Sequence, residues 1–293
     1  MGSGSWSKKD YVSYSTTMCR SVSMDGDIKG SYSAQEMFKE RELSPELNPF
    51  GVIRECVDSE EHPNTIPVIL ALDVTGSMGA SAVEIAKKLN VIMTNLYENI
   101  SDVEFMIMAI GDMVYDSAPL QVSQFESDVR IAEQLDKVYF EGGGGGNMYE
   151  SYSAAWLFAA RNTKLDCWKR GKKGLIITIG DELLNPYLPV LGVKRTITEE
   201  CQGDVYSIDI FKELQDKYAV FHLNCISTAS GSSGRNENVA SFAKVIGKEN
   251  VMNVTVDEIS DKIISIITDF SKDENLSENT GTIARDESGA ITW

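Results

Sequence analysis

The sequence predicts an α/β fold in which helices flank a doubly wound, mostly parallel sheet. The first observation is a nearly unbroken apolar run, Ile66–Leu72, which ends at Asp73 and is typical of a strand buried on both faces. The second is the apolar stripe that follows it, with i, i+3 and i+4 spacing between Ala82 and Leu96, which predicts an amphipathic helix. The third is that strand and helix patterns keep alternating to about residue 271, as expected of a Rossmann-like sheet.

The same two periodicities predict the later elements in order. Strands are predicted at Val103–Ile110, Leu175–Ile179, Ala219–Ile226 and Val251–Val256. Helices are predicted at Ser127–Tyr139 with Ser127 as the N-cap, at Tyr149–Arg161, Val205–Tyr218 and Val239–Ile246, and along an apolar stripe from Ile259 to Phe270. We therefore expect one α/β domain over residues 66–271.

The two ends of the chain differ from this domain in composition. Residues 1–65 are polar and rich in turn-forming residues, with one short helix predicted near Ala34–Glu42, so we expect an extension that packs on the core. Residues 272–293 are charged and rich in Ser, Thr and Gly, which predicts a polar C-terminal tail.

Charge and cysteine content exclude several classes of function. The 27 Lys and Arg residues against 44 Asp and Glu give a net charge of -17, which would repel both a phosphate backbone and an anionic membrane. We therefore expect neither a nucleic acid nor a membrane as partner. The five cysteines form no C-x-x-C pair, so they predict neither a disulfide framework nor a zinc site. Since no apolar run is long enough for a membrane span or a secretion signal, we expect a cytoplasmic protein.

Oxygen-bearing side chains follow two of the predicted strands. Asp73, Thr75 and Ser77 lie at i, i+2 and i+4 in a Gly-containing turn, and Asp181 follows the strand Leu175–Ile179. Because the carboxyl ends of parallel strands share one edge of a sheet, we expect these side chains to lie close together. Hard oxygen ligands from two loops suit Mg²⁺. The alternative is that Asp73 and Ser77 only cap the following helix.

The turn Asp73-Val74-Thr75-Gly76-Ser77 resembles the Asp-x-Ser/Thr-x-Ser motif of the metal-ion-dependent adhesion site (MIDAS) in von Willebrand factor A (VWA) domains. In that family the later acidic ligand follows the fourth strand and would be Asp181. The order of predicted elements agrees with the family from about Ile66 to Ser271. The segment Arg54–Pro63 is similar to a leader before this motif in phage and bacterial VWA proteins.

This resemblance implies a VWA fold and a Mg²⁺ site, with Mn²⁺ or Ca²⁺ as alternative ions. It implies Asp73, Thr75, Ser77 and Asp181 as the metal ligands, directly or through water. It also implies a protein partner that supplies an acidic side chain to the metal. The function implied is a non-enzymatic adhesion or assembly module in the cytoplasm.

One loop departs from the family pattern. The family usually supplies a Thr from a Gly-Gly-x-Thr loop, whereas the loop Glu141–Ser151 has five glycines, Gly142–Gly146, and no Thr. Asn147, Glu150 or Ser151 could replace it, and Glu150 resembles an acid found there in some relatives; alternatively Glu150 is only a helix-start acid. The glycines complete no phosphate-binding motif, and we expect them to let the loop pass close to the Asp73 turn.

Two further classes of function remain open. The turn at Asp73 also resembles that of haloacid dehalogenase-type phosphotransferases, in which Asp73 would be a nucleophile assisted by Mg²⁺. Against this, Thr75 replaces their general acid, and Gly180-Asp181 lacks a second Asp four residues on. A Ser-His hydrolase is disfavoured because only His62 and His222 are present, and His222 is expected to be a satisfied core residue. The third class is a VWA-fold scaffold with a vestigial metal site.

Gly111-Asp112 follows the strand Val103–Ile110 and places one more acid at the same edge of the sheet. A loop Asp in this position is more often a turn residue than a metal ligand. We therefore expect Asp112 to stabilise its own turn.

Overall fold

The computed structural model describes residues 4–100, 102–142, 148–226 and 232–280, without the side chains of residues 232–235 and 273–280. The α-helices are α1 (Lys8–Thr17), α2 (Ala34–Met37), α3 (Gly79–Tyr97), α4 (Arg130–Asp136), α5 (Tyr152–Asn162), α6 (Val190–Thr196), α7 (Ser207–Leu214), α8 (Ser232–Ile246) and α9 (Ile259–Thr280). The strands are β1 (Arg54–Cys56), β2 (Ile66–Asp73), β3 (Val103–Ile110), β4 (Leu120–Val122), β5 (Tyr149–Glu150), β6 (Thr163–Leu165), β7 (Gly174–Gly180), β8 (Leu183–Leu184), β9 (Tyr187–Leu188), β10 (Val205–Tyr206), β11 (Tyr218–Cys225) and β12 (Val251–Val254).

The central sheet has six strands in the order β12-β11-β7-β2-β3-β4, and only the edge strand β4 is antiparallel to its neighbour. Alternate residues of β2 enter two different cores: Leu70 packs with α3 and α9, whereas Ile69 packs with α5 and α7. Burial on both faces explains the unbroken apolar run in this strand. The predicted fold class, α/β with a mostly parallel sheet flanked by helices, is confirmed.

The predicted bounds of β3 agree with the structure residue for residue, whereas the helix predicted at Ser127–Tyr139 is wrong in length and in its cap. The helix, α4, spans Arg130–Asp136, and Val129 occupies the N-cap position. Ser127 does not cap it, because its Oγ donates a hydrogen bond to the carbonyl oxygen of Gly4 instead. A contact with the N-terminal segment therefore takes the hydroxyl that the sequence assigns to the helix.

Short strands shorten two other predicted helices. Tyr149 and Glu150 form β5, which pairs in parallel with β8, so α5 begins at Tyr152. Val205 and Tyr206 form β10, which pairs with β9, so α7 begins at Ser207. Pairs of two-residue strands have no periodicity, which is why the sequence pattern does not reveal them.

The helices at the two ends of the chain also differ from expectation. α2 has only four residues, with a capping box between Ser33 and Glu36. At the other end α9 continues to Thr280, past residue 271 where the tail is predicted to begin. Residues 281–293 of the predicted tail lie outside the described residues.

The N-terminal segment packs against the core on the α3 side of the sheet. Trp6, Tyr11 and Leu47 are buried in the same cluster as the apolar face of α3. A buried ion pair between Arg20 and Asp136, at 2.8 Å, ties this segment to α4. Each of the five cysteines is a free thiol, and within the described ranges no helix combines the length and hydrophobicity needed to cross a membrane.

Candidate metal centre

The two oxygen-rich loops lie side by side because their strands are neighbours. β2 pairs in parallel with β7, and the ladder ends with Leu72 opposite Ile179. Asp73 and Gly180 are each one residue beyond that pair, and Asp181 is the next residue along. The fold therefore brings the Asp73 turn and Asp181 to the same edge of the sheet, as the sequence predicts.

Asp73 is completely buried and its carboxylate is held on both oxygens. Oδ1 accepts hydrogen bonds from the backbone N–H and the Oγ1 hydroxyl of Thr75, at 2.9 and 2.6 Å. Oδ2 accepts a hydrogen bond of 2.7 Å from the hydroxyl of Tyr152. Burial, with a smaller contribution from the charge of Asp181, raises the pKa of Asp73 to about 7 despite these hydrogen bonds, which lower it.

Ser77 and Asp181 form the outer half of the site. The Ser77 hydroxyl donates to Oδ1 of Asp181 at 2.8 Å, which joins the turn after β2 to the turn after β7. Ser77 is exposed and Asp181 is half-buried, so this half of the site faces solvent. Neither Asp73 nor Ser77 accepts a helix-capping hydrogen bond in α3, whose N-cap position is Met78. The capping alternative is therefore wrong for the helix that follows.

Tyr152 is a residue of the candidate site that sequence reasoning missed. It is the first residue of α5 and is fully buried, with its ring packed edge-on against His222 and Phe242. Its hydroxyl donates to Asp73 and accepts from the backbone N–H of Glu182, at 3.3 Å, so it contacts both loops. Gly180 makes room for it, since a Cβ there would lie 1.9 Å from the hydroxyl oxygen.

Glu150 is a buried acid with one oxygen that lacks a described hydrogen-bond partner. Its side chain is buried, and no described group forms a hydrogen bond with Oε2. Burial, together with the charges of Asp73, Asp116, Asp112 and Glu182, raises the pKa of Glu150 to about 10. Glu150 lies on β5, before the N-cap Ser151 of α5, so it is not part of the helix itself.

The acids after β3 stabilise their own turn. Oδ1 of Asp112 accepts the backbone N–H groups of Val114 and Tyr115, and Oδ2 of Asp116 accepts the N–H of Asp112. The Ser151 hydroxyl accepts the N–H of Met113 and so is also used by this loop. These contacts agree with the expectation that Asp112 is a turn residue.

The structure describes the two ends of the glycine loop, Glu141–Gly142 and Met148–Ser151. Gly142 has a φ of 63°, in the left-handed region that favours glycine, and its N–H approaches the carbonyl oxygen of Val74 at 3.4 Å. The loop therefore begins against the Asp73 turn. Asn147, a predicted ligand, and Gly143–Gly146 lie outside the described residues.

Neither histidine contacts the candidate ligands Asp73, Thr75, Ser77 or Asp181 by a hydrogen bond that the structure describes. His62 contacts Gly4 and Asp102 at the opposite edge of the sheet. His222 is buried beneath Tyr152, and burial lowers its pKa to about 3, so it is neutral. Its Nδ1 contacts the Thr178 hydroxyl at 3.0 Å, but Nε2 has no described partner. The expectation of a fully satisfied core histidine is therefore wrong for one ring nitrogen.

The described residues contain no group of three or more His, Cys, Asp or Glu side chains that could hold a metal ion. The candidate centre differs from such a cluster because its donors are two carboxylates and two hydroxyls. Such a mixed oxygen set, with open positions, agrees with the preference of Mg²⁺ for oxygen ligands and retained water. The orphaned Oε2 of Glu150 next to these donors indicates a place where positive charge would be favourable.

Stability of the metal-free protein should fall as the pH rises. Burial raises the folded-state pKa of Asp73 and Glu150 to about 7 and about 10, so the folded state binds their protons more tightly than the unfolded state. Their contribution is complete below the unfolded pKa near 4 and is lost as the pH rises through each folded-state value. Urea unfolding in EDTA should give a higher midpoint at about pH 5.5 than at about pH 8. Asp73→Asn should show a smaller difference between these two midpoints than wild type. An equal difference in the two proteins would exclude a contribution from Asp73.

Glu150→Gln should weaken metal binding and stabilise the metal-free protein. Because the pKa of Glu150 is raised to about 10, the folded metal-free protein holds a proton on this side chain near neutral pH, at a cost in stability that an amide of the same shape avoids. A bound cation would instead favour the carboxylate form, which Gln lacks. We expect Mg²⁺ affinity to fall by about 10-fold, the lower end of losses seen for groups around a metal. Calorimetric titration measures the affinity, and Glu213→Gln, on an exposed ion pair away from the site, is the control. Unchanged affinity would exclude a metal role for Glu150.

Comparison with known proteins gives only distant structural likenesses. No protein-family model and no curated protein sequence matches this chain. Among solved structures, the pilus adhesin SpaC from Lactobacillus rhamnosus GG matches at 13% identity and a TM-score of 0.49, covering 77% of this chain and 31% of that protein. The vWF domain of the type V pili tip protein Mfa5 from Porphyromonas gingivalis matches at 11% identity and a TM-score of 0.45, covering 78% and 98%.

Proximal thread matrix protein 1 from the mussel byssus matches at 10% identity and a TM-score of 0.46, covering 71% of this chain and 48% of that protein. The chain thus spans less than a third of the SpaC adhesin. At these identities and TM-scores, the likenesses do not indicate what this chain binds. The structural neighbours of the chain include a vWF domain at low sequence identity.

Proposed function

We propose that this chain is a non-enzymatic protein-binding module of the VWA type that acts through a divalent cation, Mg²⁺ in the first instance, with Mn²⁺ or Ca²⁺ as alternatives. Asp73, Thr75, Ser77 and Asp181 would hold the cation, directly or through water. An acidic side chain of a protein partner would complete its coordination. We propose neither a nucleic acid nor a membrane as the partner, on the charge of the chain. We also propose a cytoplasmic location, because the five cysteines are free thiols, as is usual in a reducing compartment.

The proposal rests mainly on one observation: oxygen-bearing side chains of the loop after β2 contact those of the loop after β7. Thr75 is bonded to Asp73 in the first loop, and Ser77 reaches across to Asp181 in the second. Two carboxylates therefore approach closely enough that the charge of Asp181 raises the pKa of Asp73. A cation between such loops would relieve this repulsion, which favours a metal site over a simple turn.

The arrangement also favours a binding role for the exposed half of the site. Ser77 is exposed and Asp181 is half-buried, whereas Asp73 is fully buried. A cation held here would have protein oxygens on its inner side and solvent on its outer side. When bound, the cation would supply positive charge to a surface that is otherwise acidic, and a partner carboxylate is the ligand that suits that open side.

A phosphotransferase with Asp73 as nucleophile is less well supported. Both oxygens of Asp73 are occupied by hydrogen bonds from Thr75 and Tyr152, and the side chain is completely buried. A nucleophile must itself contact the phosphorus atom, whereas a carboxylate held in this way can still hold a cation through a bridging water. Asn185, four residues after Asp181, contacts Ser153 and the Tyr187 carbonyl instead. Hydrolysis of a phosphate ester by the protein in the presence of Mg²⁺ would support the phosphotransferase instead.

Removing the metal should leave the protein folded, because the two cores on either side of the sheet do not depend on the site. Mg²⁺ at a hundredfold excess over its Kd should raise the free energy of unfolding by about 2.7 kcal/mol. Thermal unfolding with Mg²⁺ and with EDTA measures this difference. A chelated protein that no longer unfolds cooperatively would make the ion a structural metal instead.

Affinity capture from a lysate, in parallel with Mg²⁺ and with EDTA, tests the binding role. We expect partners that are retained with Mg²⁺ and released by EDTA. Ser77→Ala, which removes an exposed hydroxyl without opening the core, should release the same partners with Mg²⁺ present. Partners that stay bound to Ser77→Ala and in EDTA would support the third alternative, a scaffold whose metal site is vestigial.

A further inference from the structure

An apolar groove lies beside the candidate metal centre. Its volume is about 430 Å³, within the range of ligand-binding pockets. The walls come from β5, β8, α7 and α8, with Tyr149, Leu183, Ile208 and Val245 among the lining residues. Tyr149 and Ile208 are each about 40% exposed. Glu237 and Lys244 also line it, so its charged residues are of both signs and its selectivity would come from the apolar wall.

Three elements build both the groove and the centre. On β5, Tyr149 lines the groove and its neighbour Glu150 lies among the acids of the centre. After β7, Asp181 is a candidate ligand and Leu183, two residues later, lines the groove. The pairing of Tyr149 with Leu183 joins these two elements directly.

α8 makes the third connection between the groove and the centre. Asn238 donates a hydrogen bond to the carbonyl oxygen of Asp181. Ser241, one turn later on the same helix, lines the groove and accepts the N–H of Leu184. One turn of α8 therefore separates a contact with Asp181 from a residue of the groove wall.

The spacing of the two features defines what would fit them. Asp181 and Leu183 are two residues apart, a separation of at most about 7 Å between their Cα atoms. In an extended peptide, side chains at i and i+2 point the same way and are also about 7 Å apart. A peptide whose acid reaches the candidate centre would therefore have its i+2 side chain within reach of the groove.

We propose that this groove binds an apolar side chain of an extended partner segment whose acidic residue, two positions away, completes the metal centre. This inference rests on the proposed function and adds the partner's chemistry: an acid with a large aliphatic or aromatic residue at the second position before or after it. The exposed aromatic pair Tyr187 and Tyr206, with ring centroids 6.0 Å apart, extends the surface on the α7 side of the groove. Aromatic residues of this kind are enriched at protein interfaces.

A display library of random heptapeptides selected on the full chain tests the proposal. Selection is carried out with Mg²⁺ and elution with EDTA, and calorimetry first establishes that the chain used binds Mg²⁺. We expect the eluted peptides to share an acid with an apolar residue two positions away. Replacing that apolar residue by Ala in a synthetic peptide should weaken binding about 10-fold or more, as expected for loss of a buried side chain.

Two matched variants place the effect in the groove. Ile208→Asp puts a charge on the groove wall, at the second residue of α7, where an acid suits the helix N-terminus. Leu191→Asp is the control, because Leu191 is an exposed apolar residue at the second position of α6 and does not line the groove. The alanine effect should shrink below about twofold in Ile208→Asp and persist in Leu191→Asp.

The outcomes separate this inference from the proposed function. Selected peptides that share an acid but show no apolar preference would contradict binding of an apolar side chain in the groove. They would still agree with the metal-dependent function. An apolar preference that survives in Ile208→Asp would contradict binding in the groove in the same way. If no peptide is eluted by EDTA although Mg²⁺ is bound, both the proposed function and the groove are contradicted.

Discussion

Asp73→Asn is expected to abolish Mg²⁺ binding while the chain stays folded. Asn has nearly the same shape, and its side-chain oxygen can still accept the two hydrogen bonds from Thr75. The lost charge is the deepest one in the centre, since Asp73 is completely buried. We expect Mg²⁺ affinity to fall by at least about 100-fold, the upper end of losses reported even for groups that only surround a metal.

The fold of this variant should be at least as stable as that of the metal-free wild type. Burial disfavours the charged form of Asp73, so removing the charge removes an unfavourable contribution at neutral pH. Asp209→Asn, on the exposed surface of α7, is the matched control and should leave Mg²⁺ binding unchanged. Calorimetric titration and urea unfolding measure the two effects. Full Mg²⁺ affinity in Asp73→Asn would remove this residue from the site.

Gly180→Ala is expected to disrupt the centre from the backbone side. A Cβ at position 180 would lie 1.9 Å from the hydroxyl oxygen of Tyr152 and 2.5 Å from two of its ring carbons. The ring cannot move freely, because Phe242 and His222 pack against it. Overpacking of this kind costs about 1–3 kcal/mol of stability. Displacing Tyr152 should also release Asp73 and lower Mg²⁺ affinity by about 10-fold.

Gly203→Ala is the matched control for this substitution, since nothing lies within 4 Å of the position of its Cβ. It should change neither stability nor affinity by a measurable amount. Tyr152→Phe then separates packing from hydrogen bonding, because it keeps the ring and removes only the hydroxyl that holds Asp73. A Gly180→Ala protein with wild-type stability and affinity would show that Tyr152 does not position the carboxylate.

The long strands of the sheet could be predicted because burial on both faces leaves a clear sequence pattern. β3 is buried along its whole length and agrees with the predicted Val103–Ile110 at both ends. The two-residue strands β5, β8, β9 and β10 could not be predicted, because their pairing depends on contacts between distant parts of the chain. The same reason explains the error at Ser127, whose hydroxyl is bonded to Gly4.

The candidate site shows the same division between local and tertiary information. Asp73, Thr75, Ser77 and Asp181 follow from a short motif and from the position of acids at strand ends. Tyr152 leaves no such signal, because a tyrosine among the apolar residues of Tyr149–Arg161 is what any buried helix would contain. Its role depends on the tertiary contact with Asp73 and on the space left by Gly180.

Anomalous diffraction from crystals grown with Mn²⁺ in place of Mg²⁺ would show whether a cation binds between Asp73 and Asp181. Mn²⁺ accepts similar oxygen ligands and its anomalous signal locates the ion independently of the surrounding density. We expect one peak at the carboxyl ends of β2 and β7, with oxygens of at least three of Asp73, Thr75, Ser77 and Asp181 within about 4 Å, which allows one bridging water. A peak elsewhere on the chain, or Asp181 turned away from a peak at Asp73, would contradict this expectation.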